Sequence, residues 1–276
     1  MSIITLLSDF GTKDYYVSAV KGSLLELSKE LTIIDISHEI THYNIIESSF
    51  VLKNAYLNFP KESIHLIGVD SLYTPKQKHI VAKLNGHFFI GADNGVFSLL
   101  AKAENYDQII EIEHPKSKIS SFPMRDVFVD IAAQIVFKEK LENLGTPIST
   151  IKMWKKNIPD LARDNEIICH VLHVDQYGNL ITDLTKEVFD KQRNNKKFNI
   201  IASSAKINKI YPTYSSFVNY KLKSNQRQKA GTAMAIFNSL NLLEIALYKS
   251  NPNHGGSAAS LLGFGVGDSI RIEFTD

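Results

Sequence analysis

The first hydrophobic positions form an almost unbroken block: Ile3, Ile4, Leu6 and Leu7 run straight into Ser8-Asp9-Phe10-Gly11-Thr12-Lys13-Asp14. An apolar run of that length, closed by turn residues, predicts a strand buried on both faces. Behind it, residues 16–27 carry apolar side chains at helical spacing and predict an amphipathic helix. Residues 31–36 predict a second strand, 45–59 a helix, and 63–69 a third strand. Strand–helix–strand alternation implies an α/β sandwich built on a mostly parallel sheet. Residues 79–84 and 87–90 flank Asn85-Gly86, a dipeptide suited to a tight hairpin, and 126–138 predicts a further helix.

Between residues 145 and 165 the pattern is lost. The stretch is polar, holds two prolines and shows no period, so residues 151–165 read as a linker between a domain over 1–150 and another over 166–276. Beyond it, short β-like runs at 167–174, 179–183, 197–201, 232–237, 242–248 and 269–274 are separated by turn residues. No long helix interrupts them, which predicts a compact, largely antiparallel second domain. The basic cluster KQRNNKK at 191–197 reads as a solvated loop.

Composition narrows the class. The 276 residues are 44% apolar and 22% charged, as in ordinary globular proteins, and the formal charge is only +2, so bulk electrostatics give no reason to expect a nucleic-acid or membrane partner. No apolar run approaches the ~20 residues that span a bilayer. The opening segment meets Asp9 at once and lacks the layout of a signal peptide. One cysteine, Cys169, permits no internal disulfide and fits a reducing compartment. The cytoplasm is the expected location. The histidines show no metal-ligand spacing.

Candidate chemistry lies at the strand ends. In open α/β sheets ligands collect outside the carboxyl ends of the strands, where Asp9 and Asp70 are expected; Asp35 falls within the second strand, with His38 just beyond. Asp9 or Asp14 serves equally well as a helix N-cap. GADNG at 91–95 is a polar turn after a strand and reads equally as a plain tight turn. In the second half, Asp175, Tyr177 and Asn179 are spaced to offer hydrogen bonds and a stacking ring to a purine, or simply to form a β-turn. Ser239 and Glu244 flank a hairpin turn.

The segments SDFGTKDYYV, IIDISHEIT, HLIGVD, GADNG, RDVFVDIAA, DQYGNLIT, FNSLNLLEIAL and GGSAASLLGFGVGD, in this order along nearly the whole chain, resemble the S-adenosyl-L-methionine hydrolases (hydroxide adenosyltransferases), relatives of the fluorinase and chlorinase. The resemblance implies an N-terminal α/β sandwich followed by a C-terminal antiparallel β-barrel. It implies a homotrimer with active sites between the N-domain of one subunit and the C-domain of the next. It also implies attack of water or hydroxide on the ribose C5′ carbon, giving adenosine and L-methionine, with no cofactor and no metal. Under it, Asp9 holds the ribose hydroxyls through charge-assisted hydrogen bonds. Asp14 lies toward the methionine, and Tyr43 stacks on the ligand. Asp175, Asn179, Ser239, Glu244 and Leu247 receive the adenine and methionine portions, with Tyr177 packed on the base. Asp70 belongs to an Asp–Arg–His trio associated with water activation. The Arg position is occupied by Gln77 in DSLYTPKQ, and the His position by Pro123 in SFPMRD. Three outcomes fit: Asp70 alone orients water, helped by Lys76, Lys78 or His79; the nucleophile or substrate differs; or the protein binds S-adenosylmethionine or adenosine without turnover. A halide nucleophile fits least, since the Asp70 carboxylate repels it.

Overall fold

The computed structural model describes residues 2–113, 120–154, 159–163 and 165–275. The chain divides into two compact units, Met1–Lys155 and Lys156–Asp276. Part of the expected 151–165 linker, residues 155–158 and 164, lies outside the described residues.

In the first unit the elements run β1 (Ile3–Ser8), α1 (Tyr16–Leu27), β2 (Thr32–Ser37), α2 (Ile45–Ala55), β3 (Ile64–Gly68), β4 (His79–Leu84), β5 (His87–Ala92), α3 (Val96–Leu100), β6 (Gln108–Ile112), α4 (Val129–Val136) and β7 (Gly145–Pro147). They form a seven-stranded sheet in the order β2-β1-β3-β5-β4-β6-β7. β1 pairs in parallel with β2 and β3, and β3 with β5. β4 runs antiparallel to β5 and β6, and β6 to β7. The sheet is mixed, which corrects the expectation of a mostly parallel one. The reason is local: Asn85 at φ 55° and Gly86 at φ 81° make a two-residue turn between β4 and β5. So short a turn reverses the chain, whereas parallel neighbours need a long crossover.

The doubly buried strands explain the solid apolar runs. Ile4 and Leu6 pack with α1 and α4 residues Val20, Leu24, Ala132 and Ile135. Leu7, one residue on, joins the opposite cluster with Ile45, Leu52 and Phe97 from α2 and α3. Side-chain alternation thus feeds two cores from one strand, leaving no polar face to break the run. The helix expected over 126–138 opens as a π-helical turn at Met124–Phe128 and continues as α4.

The second unit contains β8 (Asp160–Arg163), β9 (Glu166–Val174), β10 (Leu180–Thr185), α5 (Lys186–Arg193), β11 (Lys197–Ala202), β12 (Ala205–Ile207), β13 (Ile210–Tyr211), β14 (Ala233–Phe237), β15 (Leu242–Leu247), α6 (Ala258–Leu262) and β16 (Ser269–Thr275). Its sheet runs β12-β11-β16-β9-β10-β15-β14-β13, with β8 on β9. Every pairing is antiparallel except β13 with β14. β12 also packs against β14, bringing the ends of the sheet together as a nearly closed, barrel-like wall. Alternate residues face one core: Ile167, Cys169 and Val171 from β9, with Ile270, Ile272 and Phe274 from β16. The 191–197 cluster is not simply a loop. It begins inside α5, which ends at Asn194 in the left-handed conformation, φ 41°, and leads directly into β11.

Candidate active site

At the carboxyl end of β1, the Asp9 Oδ2 accepts the Tyr43 backbone N–H at 2.9 Å, and His42 Nδ1 donates to the Asp9 carbonyl at 3.0 Å. Tyr43 itself sits at φ 62° and the residue is 73% exposed, so its backbone N–H holds Asp9 while most of the residue stays open to solvent. Neither Asp9 nor Asp14 caps α1, whose N-cap position is Tyr15 with no side-chain cap bond. Asp14 lies in an exposed turn, where its charge helps to raise the Tyr16 hydroxyl pKa behind the larger effect of Tyr15.

Beneath Asp9, the buried Ser8 Oγ lies 2.7 Å from His38 Nδ1, and His38 Nε2 is 3.1 Å from Asp35. Lys21 Nζ reaches Asp35 at 2.6 Å. Burial works to raise the Asp35 pKa, but Lys21 and His38 outweigh it and hold the carboxyl below its usual range. Ser8 is fully buried, so this Ser–His–Asp sequence of contacts tethers β1 to β2 and presents no nucleophile. Its effect is to fix the strand end that carries Asp9.

Asp70 follows β3, adjacent to β1. It adopts φ 43°, a left-handed conformation. Burial is the main cause that raises its pKa; the Asp9 charge adds to this, while Lys152 and Gln77 oppose it. The Asp9 charge, from the neighbouring strand end, thus adds to the rise that burial imposes on Asp70. Gln77, at the position where the trio has Arg, donates through Nε2 to the Asp70 carbonyl at 2.8 Å. In GADNG, Asp93 accepts the Lys152 N–H at 2.9 and 3.0 Å. Asn94 reaches back to the end of β3. This turn is part of the site's support and more than a plain reversal.

The second-unit candidates converge. Asp175, Tyr177, Asn179, Ser239, Glu244 and Leu247 all line one cavity of about 760 Å³. The β9–β10 turn supplies the first three. Asp175 Oδ1 accepts the backbone N–H groups of Tyr177 and Asn179 at 2.9 and 2.8 Å, and Oδ2 accepts Asn179 Nδ2 at 3.0 Å. The aspartate thereby organises the turn, leaving Tyr177 70% exposed at its tip. The β-turn reading of DQYGNLIT is the one seen, and the turn also forms part of the cavity wall. Glu244 on β15 accepts from the Tyr214 hydroxyl, and from Asn238 Nδ2 at 3.0 Å. Burial, reinforced by the Asp175 charge and opposed by Asn179, pushes its carboxyl up to about 7.

Tyr214 and Asn238 were not singled out by sequence. Tyr214 also takes a hydrogen bond from Asn179 Nδ2 at 3.1 Å. It comes from a turn-rich segment without period, thirty residues before its partner Glu244, so no local pattern marks it. Asn238 carried a signal, since its Oδ1 closes the β14–β15 turn through the Leu240 and Leu242 N–H groups. Among the described residues, no group of three or more His, Cys, Asp and Glu side chains is placed to hold a metal ion. No described helix is long and apolar enough to cross a membrane. Cys169 is fully buried and its thiol is pushed up to about 12, chiefly by burial, which removes it from nucleophilic chemistry near neutrality. A second cavity of about 610 Å³, lined by Ser23, Glu26, Arg125 and Asp126 among others, contains none of the candidates.

Residues 4–145 match the SAM hydroxide adenosyltransferase N-terminal domain, and residues 169–271 match the SAM hydroxide adenosyltransferase C-terminal domain. A protein of Methanocaldococcus jannaschii named (R)-S-adenosyl-L-methionine hydrolase is 29% identical over 278 residues, covering 99% of this chain and 96% of its own. A Nocardia brasiliensis fluorinase is 20% identical over 219 residues, 68% of this chain and 73% of its own. The crystal structure of an uncharacterized conserved protein from Thermotoga maritima superposes with a TM-score of 0.82 at 26% identity, covering 98% of this chain and 99% of that one. With both domain matches in chain order and acidic strand ends in the first unit, the chain belongs to the SAM hydroxide adenosyltransferase family.

Proposed function

We propose that this protein hydrolyses S-adenosyl-L-methionine to adenosine and L-methionine. The observation that carries the reading is the Asp9–Asp70 pair at adjacent strand ends of a chain matching both family domains. Asp9, aimed by the Tyr43 N–H, holds the ribose hydroxyls. Asp70 accepts a hydrogen bond from the attacking water and orients it in line with the C5′–sulfur bond. The water oxygen bonds to C5′, the bond electrons leave on sulfur as a neutral thioether, and the water proton passes to Asp70 and then to solvent. A neutral leaving group needs no acid, so positioning carries most of the rate. The Asn179, Ser239, Glu244 and Leu247 cavity receives the adenine and methionine portions, with Tyr177 against the base and Tyr43 and Asp14 toward the ligand. No cofactor takes part. The reading extends to a homotrimer, working in the cytoplasm, in which the first unit of one subunit faces the second unit of its neighbour.

A second reading, binding without turnover, is favoured by two observations: the Gln77 amide donates to backbone carbonyls, and Pro123 offers no proton-transfer group. Incubation with S-adenosylmethionine and chromatography for adenosine separates the two. Adenosine above the protein-free control, abolished in Asp70→Ala, is the expected result. Thermal stabilisation by ligand with no product would establish the binder instead.

A further inference from the structure

The four residues that follow β3 have their carbonyls held by side chains. Asn94 Nδ2 donates to Val69 at 3.0 Å and to Asp70 at 3.2 Å. Gln77 Nε2 donates to Asp70 at 2.8 Å and to Leu72 at 3.1 Å. His79 Nε2 donates to Ser71 at 2.8 Å. Val69 through Leu72 are thus tied by donors from three places: the turn after β5, the loop before β4, and the first residue of β4.

The donors are themselves fixed. Asn94 is 2% exposed and its Oδ1 accepts the Val96 N–H at 3.1 Å, which sets the direction of its amide. His79 packs edge-on against the rings of Tyr73 and Phe128. Gln77 exchanges both backbone hydrogen bonds with Thr74, at 3.0 and 3.1 Å, in a tight loop.

At the centre of this arrangement is Asp70 at φ 43°, a conformation that a non-glycine residue seldom adopts and that persists only where its surroundings impose it. Backbone angles set where Cβ points, so what holds the Asp70 carbonyl also aims its carboxylate. Only one of the three donors, Gln77, is far enough from the core to be altered without opening a cavity.

We propose that Gln77 is a positioning residue for hydrolysis, acting with Asn94 and His79 as a clamp on the 69–72 backbone that locks Asp70 in its left-handed conformation and so aims its carboxylate at the attacking water. The proposal deepens the hydrolase reading and rests on it. Gln77 acts through Asp70, holding its carbonyl and, beside the carboxyl, opposing the rise in its pKa.

The test uses the full chain, with adenosine formation measured against S-adenosylmethionine concentration. Gln77→Met keeps the length and loses both N–H donors; Gln77→Arg keeps donors at similar reach. Gln77→Met should lower kcat about 10- to 100-fold, the size expected of a reacting group displaced by an ångström or less. KM, adenosine affinity and melting temperature should stay at wild-type values, and Gln77→Arg, which keeps the donors and also restores the trio's Arg, should hold kcat at or above wild type. A wild-type kcat in Gln77→Met, a loss confined to KM, or an equal loss in Gln77→Arg overturns the clamp while leaving the hydrolase reading intact. A wild-type protein that makes no adenosine overturns both. Should Gln77→Met not fold, Gln77→Ser removes the same donors from the same carbonyls and is read by the same outcomes.

Discussion

At the residue scale, Asp9 and Glu244 show how placement divides the work of two carboxyl groups. Asp9 is pinned by the Tyr43 N–H and, in the proposed reading, binds sugar through its charge. Asp9→Asn keeps an acceptor for Tyr43 and removes the charge. Adenosine affinity, measured by titration calorimetry, should fall by roughly 1.5–3 kcal/mol with little change in melting temperature. Unchanged affinity would remove Asp9 from the site. Glu244 behaves in the opposite way, because burial keeps its proton on up to about pH 7 against an ordinary value of 4.5. Its folded-state pKa is raised, so its contribution to stability is fully present below 4.5 and is lost as pH climbs through 7. Glu244→Gln is neutral at every pH. The melting temperature of the wild type should therefore drop relative to the variant as pH rises through that window, and parallel curves would contradict the assignment. Asp9 and Asp70 stand out in sequence as acids at the ends of apolar runs, and Glu244 as the single charge inside one. Tyr214 does not, because its role comes from a contact across the fold.

At the element scale, the turn between β9 and β10 couples the cavity to α6. Gly178 lies at φ 72°, and a Cβ there would meet Ser257 Oγ at 2.2 Å. Ser257 is the N-cap of α6, in a reciprocal capping pair with Ser260. The Gly178 carbonyl accepts the Ala259 N–H at 2.9 Å. Gly178→Ala should destabilise the protein by about 1–3 kcal/mol through overpacking. The left-handed backbone strain adds to this, and adenosine binding should weaken because Tyr177 and Asn179 sit in the same turn. Denaturant unfolding together with ligand titration checks both effects. Wild-type values in both would show that the turn and α6 are independent. The same scale explains the mixed sheet: periodicity identified β3, β4 and β5 as strands, and Asn85-Gly86 marked the hairpin. Yet the direction of β4 within the sheet followed from which neighbours it paired with, β5 and β6.

At the scale of the whole molecule, the proposed reading assigns the ribose and water residues to the first unit and the base-side cavity to the second. If each site takes its halves from different subunits of a trimer, two inactive variants should complement one another. Asp70→Ala and Asn179→Ala, co-refolded in equal amounts, should recover up to about a quarter of wild-type adenosine formation by random reassortment. Mixed oligomers confirmed by native mass spectrometry but devoid of activity would rule out sites shared between subunits.

The order of strands and helices, the double burial of the first sheet and the one-sided strands of the second unit are properties of side-chain periodicity, which the sequence alone carries. The acidic strand ends are as local, since turn residues adjoin the runs they close. The tertiary structure decided the rest: the mixed direction of the first sheet, the near closure of the second, the Tyr214–Glu244 contact and the clamp that holds Asp70. Each depends on residues far apart in the chain, Asn94 on Val69 or Glu244 on Tyr214. Pairings of that kind are set by which surfaces meet once the strands have assembled, and no periodic pattern in one segment encodes the other.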